Sequence, residues 1–274
     1  MPELPEVETV VRNLRQPLIG HTVSAMWHDW DNIIHSPSPE VFANRIIGQK
    51  FKAVKRRAKY ILCELNHDIL VVHLKMTGRL YVTDADTVHN ADKWVHFRLD
   101  LDGGKQLRFS DARKFGKVYL TSNIDSITGK LGPEPLEDNF TVGIFNQRLN
   151  GRKKNIKALL LDQTFIAGVG NIYADEALLR AKIHPLRTSD SLNQQEISAL
   201  YETVRIALNA GIQHEGASIN WYRKPDGTEG NSQNHFYAYG RNGQPCKQCG
   251  TTIEKIRVAQ RGTHFCPNCQ PTPK

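Results

Sequence analysis

The sequence predicts a multidomain α+β protein, with an antiparallel β domain entered by a helix, an all-α domain after it, and a short metal-held β-hairpin at the end. Three observations carry this reading. Apolar and polar residues alternate over 94 to 101, apolar residues recur at helical spacing between 155 and 210, and a C-x-x-C pair occurs twice inside the last thirty residues.

After Pro5, Val7, Val10, Val11 and Leu14 recur at helical spacing, which predicts an amphipathic helix over 5 to 16 with proline in its first turn and residues 2 to 4 as a short arm before it. From 20 to 121 the pattern is strand-like, broken by one short helix at 39 to 47 between Ser38 as a cap and Gly48 as a stop. In the clearest strand Val95, Phe97, Leu99 and Leu101 alternate with His96, Arg98 and Asp100, and Asp102-Gly103-Gly104 turns the chain into a partner near 105 to 110. The prolines and acids of LGPEPLEDN at 131 to 139 end this pattern. Helices follow at 155 to 162, 172 to 181 and 194 to 210, the last entered through a capping box of Asn193 and Glu196 and expected to stop at Gly211. Residues 216 to 234 are rich in Gly, Ser and Asn and predict a mobile functional loop. These divisions give domains at 1–133, 134–235 and 236–274.

With 274 residues, 23% charged and 39% hydrophobic, the chain has the composition of a soluble globular protein. No run approaches the roughly 18 apolar residues of a spanning helix, so no membrane partner is expected. The start MPELPEVETV lacks the basic and apolar stretches of a secretory signal, which places the protein in the cytoplasm. Lys plus Arg exceed Asp plus Glu by 36 to 28, a net charge of +8. That excess suits a polyanionic partner and also an ordinary basic protein, but the basic clusters at 52 to 59, 111 to 117 and 151 to 157 fall at apparent turns, from which side chains reach a phosphate backbone.

Cys246, Cys249, Cys266 and Cys269 have the spacing of a tetrahedral site of four thiolates for one structural Zn2+. Two disulfides or a redox pair would share that spacing, but a reducing cytoplasm and a tail too short for its own core favour zinc. Between the pairs, two strand-like runs meet at Gln260-Arg261-Gly262, so a hairpin would display Arg261 at its tip. Cys63, in the strand run YILCEL, reads as a small core residue. Loss of Met1 would leave a secondary amine on Pro2, and an α-amino group titrates near pH ~8, partly unprotonated and nucleophilic without tuning. Glu3 and Glu6 beside it supply carboxylates for proton transfer. The same acids also complement a helix dipole, so the residues alone leave both readings open.

Taken together, MPELPEVETV, KMTGRL at 75 to 80, DARKFG at 111 to 116, GVGNIYADEALLRA at 168 to 181 and the terminal YGRNGQPCKQCG closely resemble the formamidopyrimidine-DNA glycosylase family over essentially the whole chain. The resemblance implies an N-terminal β-sandwich, a helix-two-turn-helix domain and a C-terminal zinc finger. It implies base excision repair of damaged double-stranded DNA, by a bacterial protein expected to be monomeric, which removes 8-oxoguanine and formamidopyrimidines and then cuts the strand. By similarity Pro2 is the nucleophile, Glu3 assists base loss and ring opening, and Glu6 supports the nucleophile. Lys59 serves the first elimination and Arg261 the second. Met76, Arg113 and Phe115 match the intercalating trio, and Arg152, Lys157 and Asn171 match positions on the DNA face. Ser218 lies in the stretch that contacts the everted base. Trp94 stands where relatives carry a DNA-contacting histidine, two residues before His96, which could take over part of that role.

A zinc-dependent DNA binder without chemistry is the competing class, and Pro2 discriminates between the two. Catalytic zinc hydrolysis is disfavoured, because four cysteines leave no open coordination position.

Overall fold

Helix α1 (Leu4–Leu18) begins one residue before the predicted start and runs two past the predicted end, and its apolar stripe of Val7, Val10, Val11, Leu14 and Leu18 is buried in the core of the first unit. The computed structural model describes residues 1–219 and 221–272. Their contacts divide the chain into two units, Met1–Lys130 with His214–Asn231, and Leu131–Gln213 with Ser232–Lys274.

In the first unit α1 is followed by β1 (Val23–His28), β2 (Ile34–Ser36), α2 (Pro39–Ile46), β3 (Ala53–Arg57), β4 (Tyr60–Glu64), β5 (Ile69–His73), β6 (Gly78–Asp84), β7 (Val95–Leu101), β8 (Lys105–Asp111), β9 (Lys117–Thr121) and a single turn, α3 (Asp125–Thr128). The strands form a sheet of order β1-β7-β8-β6 and a second of order β2-β9-β5-β4-β3. All pairings are antiparallel except β2 with β9. Phe97, Leu99 and Leu107 of the first sheet share one apolar core with Val54, Ile61, Val72 and Val118 of the second, as in a sandwich whose inner faces interdigitate. The predicted hairpin is β7 with β8, turned at Gly103 and Gly104, both at positive φ. Alternation fails at His96, which is buried rather than exposed, because the register shifts between Val95 and Phe97.

The second unit holds α4 (Val142–Leu149), α5 (Ile156–Leu160), α6 (Asn171–Arg180), α7 (Gln194–Gln213) and the hairpin β10 (Glu254–Val258) with β11 (Arg261–Phe265). The capping box at α7 forms as expected, Asn193 N–H donating to Glu196 Oε2 at 2.8 Å and Glu196 N–H to Asn193 Oδ1 at 2.9 Å. Helix α4 has no counterpart among the helices named from the sequence; Thr141 Oγ1 caps it by accepting Ile144 N–H at 3.3 Å.

Two expectations are corrected. The hairpin turn is Ala259-Gln260, both at positive φ, with Val258 paired to Arg261, so Arg261 is the first residue of β11 and not the tip. Helix α7 also runs through Gly211 to Gln213. The glycine is a contact device rather than a stop, since a Cβ there would lie 2.5 Å from the Tyr173 ring. Alanine in an ordinary helix interior gains roughly 1 kcal/mol over glycine, whereas Gly211→Ala should lose about 1–3 kcal/mol to overpacking, read as a lower urea midpoint at unchanged slope.

Candidate active site and metal centre

The first unit fixes its own N-terminus. Glu3 caps α1 and Glu6 is its third residue, in a capping box where Glu3 N–H donates to Glu6 Oε2 at 2.8 Å. The other oxygen of Glu6 accepts Ala217 N–H at 2.8 Å. Pro2, Glu3 and Glu6 are all buried. A carboxylate removed from water needs such donors, and the helix N-terminus adds its own positive potential. The Tyr222 hydroxyl donates toward Glu215 O at 3.2 Å and lies 3.4 Å from Glu6 O. Burial and the Glu6 carboxylate hold that phenol well above its ordinary range, so it stays a donor. Gly216, at φ +81, and Gly230 permit this fit: a Cβ on the first would lie 2.9 Å from Glu6 Cγ, and on the second 2.3 Å from Gly216 O. Ser218 Oγ accepts Gly230 N–H at 2.9 Å, folding the segment back on itself.

Lys59 occupies the two-residue turn of β3 and β4, where Arg57 pairs with Tyr60 and Ala58 takes a positive φ. It is buried. Burial, Lys75 and Lys59 together push His73 down to about 3, so His73 is neutral at physiological pH and its Nδ1 accepts Lys75 N–H at 3.0 Å. Two lysine charges that depress one histidine make a positive potential suited to an anion.

Met76 and Phe115 are 43% and 45% exposed, although both are large and apolar. Arg113 links them: its Nη1 lies 3.4 Å from Met76 Sδ and its guanidinium 4.6 Å from the Phe115 ring centroid. Below them Asp111, fully buried, accepts from Thr77 Oγ1, from Gly116 N–H at 2.6 Å and from Arg113 N–H at 3.2 Å. Sequence reasoning quoted the DARKFG run without singling out its aspartate.

Trp94 ends a short 3-10 turn before β7 and packs edge-on against Trp221, with centroids 5.8 Å apart. His96 does not take over a surface role, because its side chain is only 9% exposed and its Nδ1 meets Oδ1 of the exposed Asp29 at 2.7 Å.

In the second unit the structure corrects the place of Lys157. Its side chain is 0% exposed and its ammonium pairs with Asp175, so it does not stand on a surface. Asp175 also accepts His264 N–H at 2.9 Å, and the pair thereby joins α5, α6 and β11. The neighbouring Glu176 accepts the N–H groups of Tyr237, Ala238 and Tyr239 at 2.8 to 3.1 Å and Arg180 Nη1 at 2.6 Å. Neither acid was foreseen, though both stand in the quoted GVGNIYADEALLRA run. Asn171 opens α6 and donates from Nδ2 to Gly262 O at 2.9 Å, beside the exposed Arg261. Arg152 is half-buried, donates to Arg148 O at 3.0 Å and lies over the Phe165 ring.

The Sγ atoms of Cys246, Cys249, Cys266 and Cys269 all lie within 4.8 Å of one another. A tetrahedral zinc at Zn–S of about 2.3 Å needs sulfurs about 3.8 Å apart. Backbone amides complete the set, Gln248 N–H donating to Cys246 Sγ and Cys269 N–H to Cys266 Sγ, each at 3.4 Å. Gln270, buried, bridges Cys266 N–H and Ile183 O at 2.9 and 2.8 Å. Among the described residues no helix is long and apolar enough to cross a membrane.

Residues 1–118 match the family model described as the formamidopyrimidine-DNA glycosylase N-terminal domain, 131–223 the H2TH domain of the same glycosylase, and 243–272 a zinc finger found in FPG and IleRS. A formamidopyrimidine-DNA glycosylase of Herpetosiphon aurantiacus is 51% identical, over 98% of this chain and 100% of its own. A Lactococcus lactis FPG mutant in complex with Fapy-dG DNA superposes with TM-score 0.92 at 35% identity, covering 99% and 100% of the two chains. MutM in complex with carbocyclic 8-oxo-G DNA gives 0.90 at 35% identity, covering 99% and 100%. The zinc-finger match and the sulfur geometry together identify one structural zinc.

Removing Lys157 strands a buried carboxylate, so Lys157→Met should lower unfolding stability by about 3–5 kcal/mol. A lysine on the surface would change it by no more than about 0.5 kcal/mol, and chemical denaturation separates the two.

Proposed function

The chain belongs to the formamidopyrimidine-DNA glycosylase family, and from that premise we propose that it is a bifunctional glycosylase and abasic-site lyase of base excision repair, acting as a monomer in the bacterial cytoplasm on 8-oxoguanine and formamidopyrimidines in duplex DNA. The observation that carries the proposal is the buried Pro2-Glu3-Glu6 arrangement at the start of α1. The neighbours solved with Fapy-dG and 8-oxo-G DNA support the substrate class.

With Met1 removed, the Pro2 nitrogen attacks C1′ of the damaged nucleotide. The glycosidic bond breaks and its electron pair leaves with the base, and the proton lost from the newly bonded Pro2 nitrogen goes to the departing base, which restores the nitrogen lone pair. The nitrogen lone pair then displaces O4′, to which Glu3 gives a proton, and an iminium forms between Pro2 and the opened sugar. Loss of the C2′ proton expels the 3′ phosphate with Lys59 assisting, and a second elimination with Arg261 assisting expels the 5′ phosphate, leaving a one-nucleotide gap. Glu6 supports the nucleophile by holding the Glu3 backbone.

Chemistry at C1′ requires the base to leave the stack, at a cost of a few kcal/mol. Met76 fills the vacated space, Arg113 faces the orphaned base and Phe115 wedges the neighbouring step. Two apolar tips kept exposed and joined by one arginine support that assignment. Asn171 and Arg152 serve the phosphate backbone, the first at a helix N-terminus, and Ser218 belongs to the segment facing the everted base. Lys157 serves this face indirectly, by holding Asp175. We assign a catalytic part to 1–133, a helix-two-turn-helix part with the lesion-recognition loop to 134–235 and a zinc finger to 236–274, a division supported by the order of the family matches at 1–118, 131–223 and 243–272.

Borohydride should trap the mature protein on a duplex carrying 8-oxoguanine opposite cytosine, with the adduct mapped to Pro2; a protein with a blocked N-terminus that still cleaved would sink the assignment. Lys59→Ala and Arg261→Ala should each slow strand cleavage by about 100-fold or more while slowing base release less. Equal slowing of both steps, followed on one duplex, would contradict the separate roles.

A further inference from the structure

The first unit contains a cavity of about 320 Å³ lined by Thr77, Arg79, Ala91, Trp94, Trp221 and Arg223, among others. Its walls combine two indole rings with two guanidinium groups, a lining that suits a flat, polar-edged ring system. Thr77 directly follows Met76 in the chain, and its hydroxyl is held by Asp111.

The segment carrying Trp221 is held at its stem, at its turn and between them. At its stem Glu6 binds Ala217 N–H. At its turn Arg79 Nη2 donates to Pro225 O at 2.9 Å, while the same nitrogen meets His89 Nε2 at 3.1 Å. Between them the contact is aromatic, the edge-on pair of Trp94 and Trp221 at an interplanar angle of 80°. The first two holds act on backbone atoms, and the neighbouring Tyr222 is buried with its hydroxyl on Glu215 O and close to Glu6 O, but none of these contacts is made to the Trp221 ring. Trp221 is 52% exposed, and the Trp94 ring packs edge-on against it. Trp94 is itself fixed from another side by Lys93, whose Nζ lies 4.0 Å from its ring centroid. Asp92 at the start of that turn binds the Tyr81 hydroxyl at 2.7 Å and Arg108 Nη1 at 3.0 Å. Burial would raise the Asp92 carboxyl, but these donors and His89 N–H hold it below its usual range, so the turn keeps a charged anchor.

We infer that Trp94 is a positioning residue, which orients Trp221 as a wall of the cavity that receives the everted base and thereby favours base excision over cleavage of a ready-made abasic site. The inference rests on the proposed glycosylase reading and adds a specificity role for two tryptophans that the backbone holds do not provide. A histidine at 94 would offer a smaller and more polar edge, so the tryptophan changes what this position does.

The test uses the full zinc-loaded protein as wild type, Trp94→Ala, Trp94→His and Trp94→Phe, with kcat and KM measured for 8-oxoguanine release and for cleavage of an abasic duplex. Loss of one aromatic pair should lower the ratio of base-release to abasic-cleavage efficiency roughly three- to tenfold in Trp94→Ala, mainly through KM, and Trp94→Phe should recover most of it. Trypsin cleavage after Arg223 in the DNA-free protein should accelerate in Trp94→Ala and not in Trp94→Phe. An equal fall in both activities would mean that Trp94 serves DNA binding at large and would overturn the inference, as would an unchanged ratio or unchanged proteolysis. A wild-type protein releasing no oxidised base would fail the glycosylase reading before any variant is compared, and the trypsin arm would still decide whether Trp94 positions Trp221.

Discussion

A chain terminus frays unless something ties it down, and fixing residues 2 to 6 is the constraint that organises the first unit. Glu6 meets it with one carboxylate, which accepts Glu3 N–H on one oxygen and Ala217 N–H on the other. The first bond stops the start of α1 from unwinding. The second ties a segment more than two hundred residues away in sequence to the same point. The apolar stripe of α1 anchors the rest of the helix in the core between the sheets, and Arg56 of β3 reaches Glu8 on its polar side at 3.0 Å. Chemistry by an N-terminal amine needs such fixity, since a misplacement of even 1 Å costs orders of magnitude in rate.

The second unit solves a related problem with two successive acids. Asp175 and Glu176 both lie buried on α6, where a charge is tolerable only when its lone pairs are met. Asp175 meets Lys157 and the β11 backbone, and Glu176 meets three consecutive amides just before the metal-binding tail. The zinc site orders the tail locally, and these carboxylates fix that tail to α6. Arg261 and Asn171 are thereby placed relative to each other through Gly262. A hairpin holding a metal but lacking those bonds would be folded and badly aimed.

Much of this was legible in the sequence where periodicity or fixed spacing is strong. The α1 stripe, the β7 and β8 hairpin, the α7 capping box and the four cysteines all have short-range signatures and form as read. Two of the errors have a shared cause. Gly211 and Lys157 each follow a local rule, as helix stop and surface cation, and a tertiary partner overrides each one: the Tyr173 ring and the Asp175 carboxylate. Asp111, Asp175 and Glu176 were missed for the complementary reason. An acid in a helix or a turn looks solvent-facing until its donors, distant in sequence, come into view.

Backbone conformation carries a further signal that residue type alone does not give. Among the described residues the non-glycine positions at positive φ are Ala58, Lys75, Lys114, Lys182, Glu215, Ala259 and Gln260. A left-handed conformation costs an L-residue roughly 1–2 kcal/mol, and it persists only where surrounding structure enforces it. Ala58 precedes Lys59, Lys75 precedes Met76, and Lys114 separates Arg113 from Phe115; Glu215 precedes the Gly216-Ala217 stem, and Ala259 and Gln260 precede Arg261. Only Lys182 stands apart from the candidate site residues. Glycine would adopt the same angles with less strain, but it would also leave the chain freer to place the next side chain elsewhere. The strain therefore sits at the turns that present Lys59, Met76, Arg113, Phe115 and Arg261, and at the one between Arg113 and Phe115 buried Asp111 holds it through Arg113 N–H and Gly116 N–H.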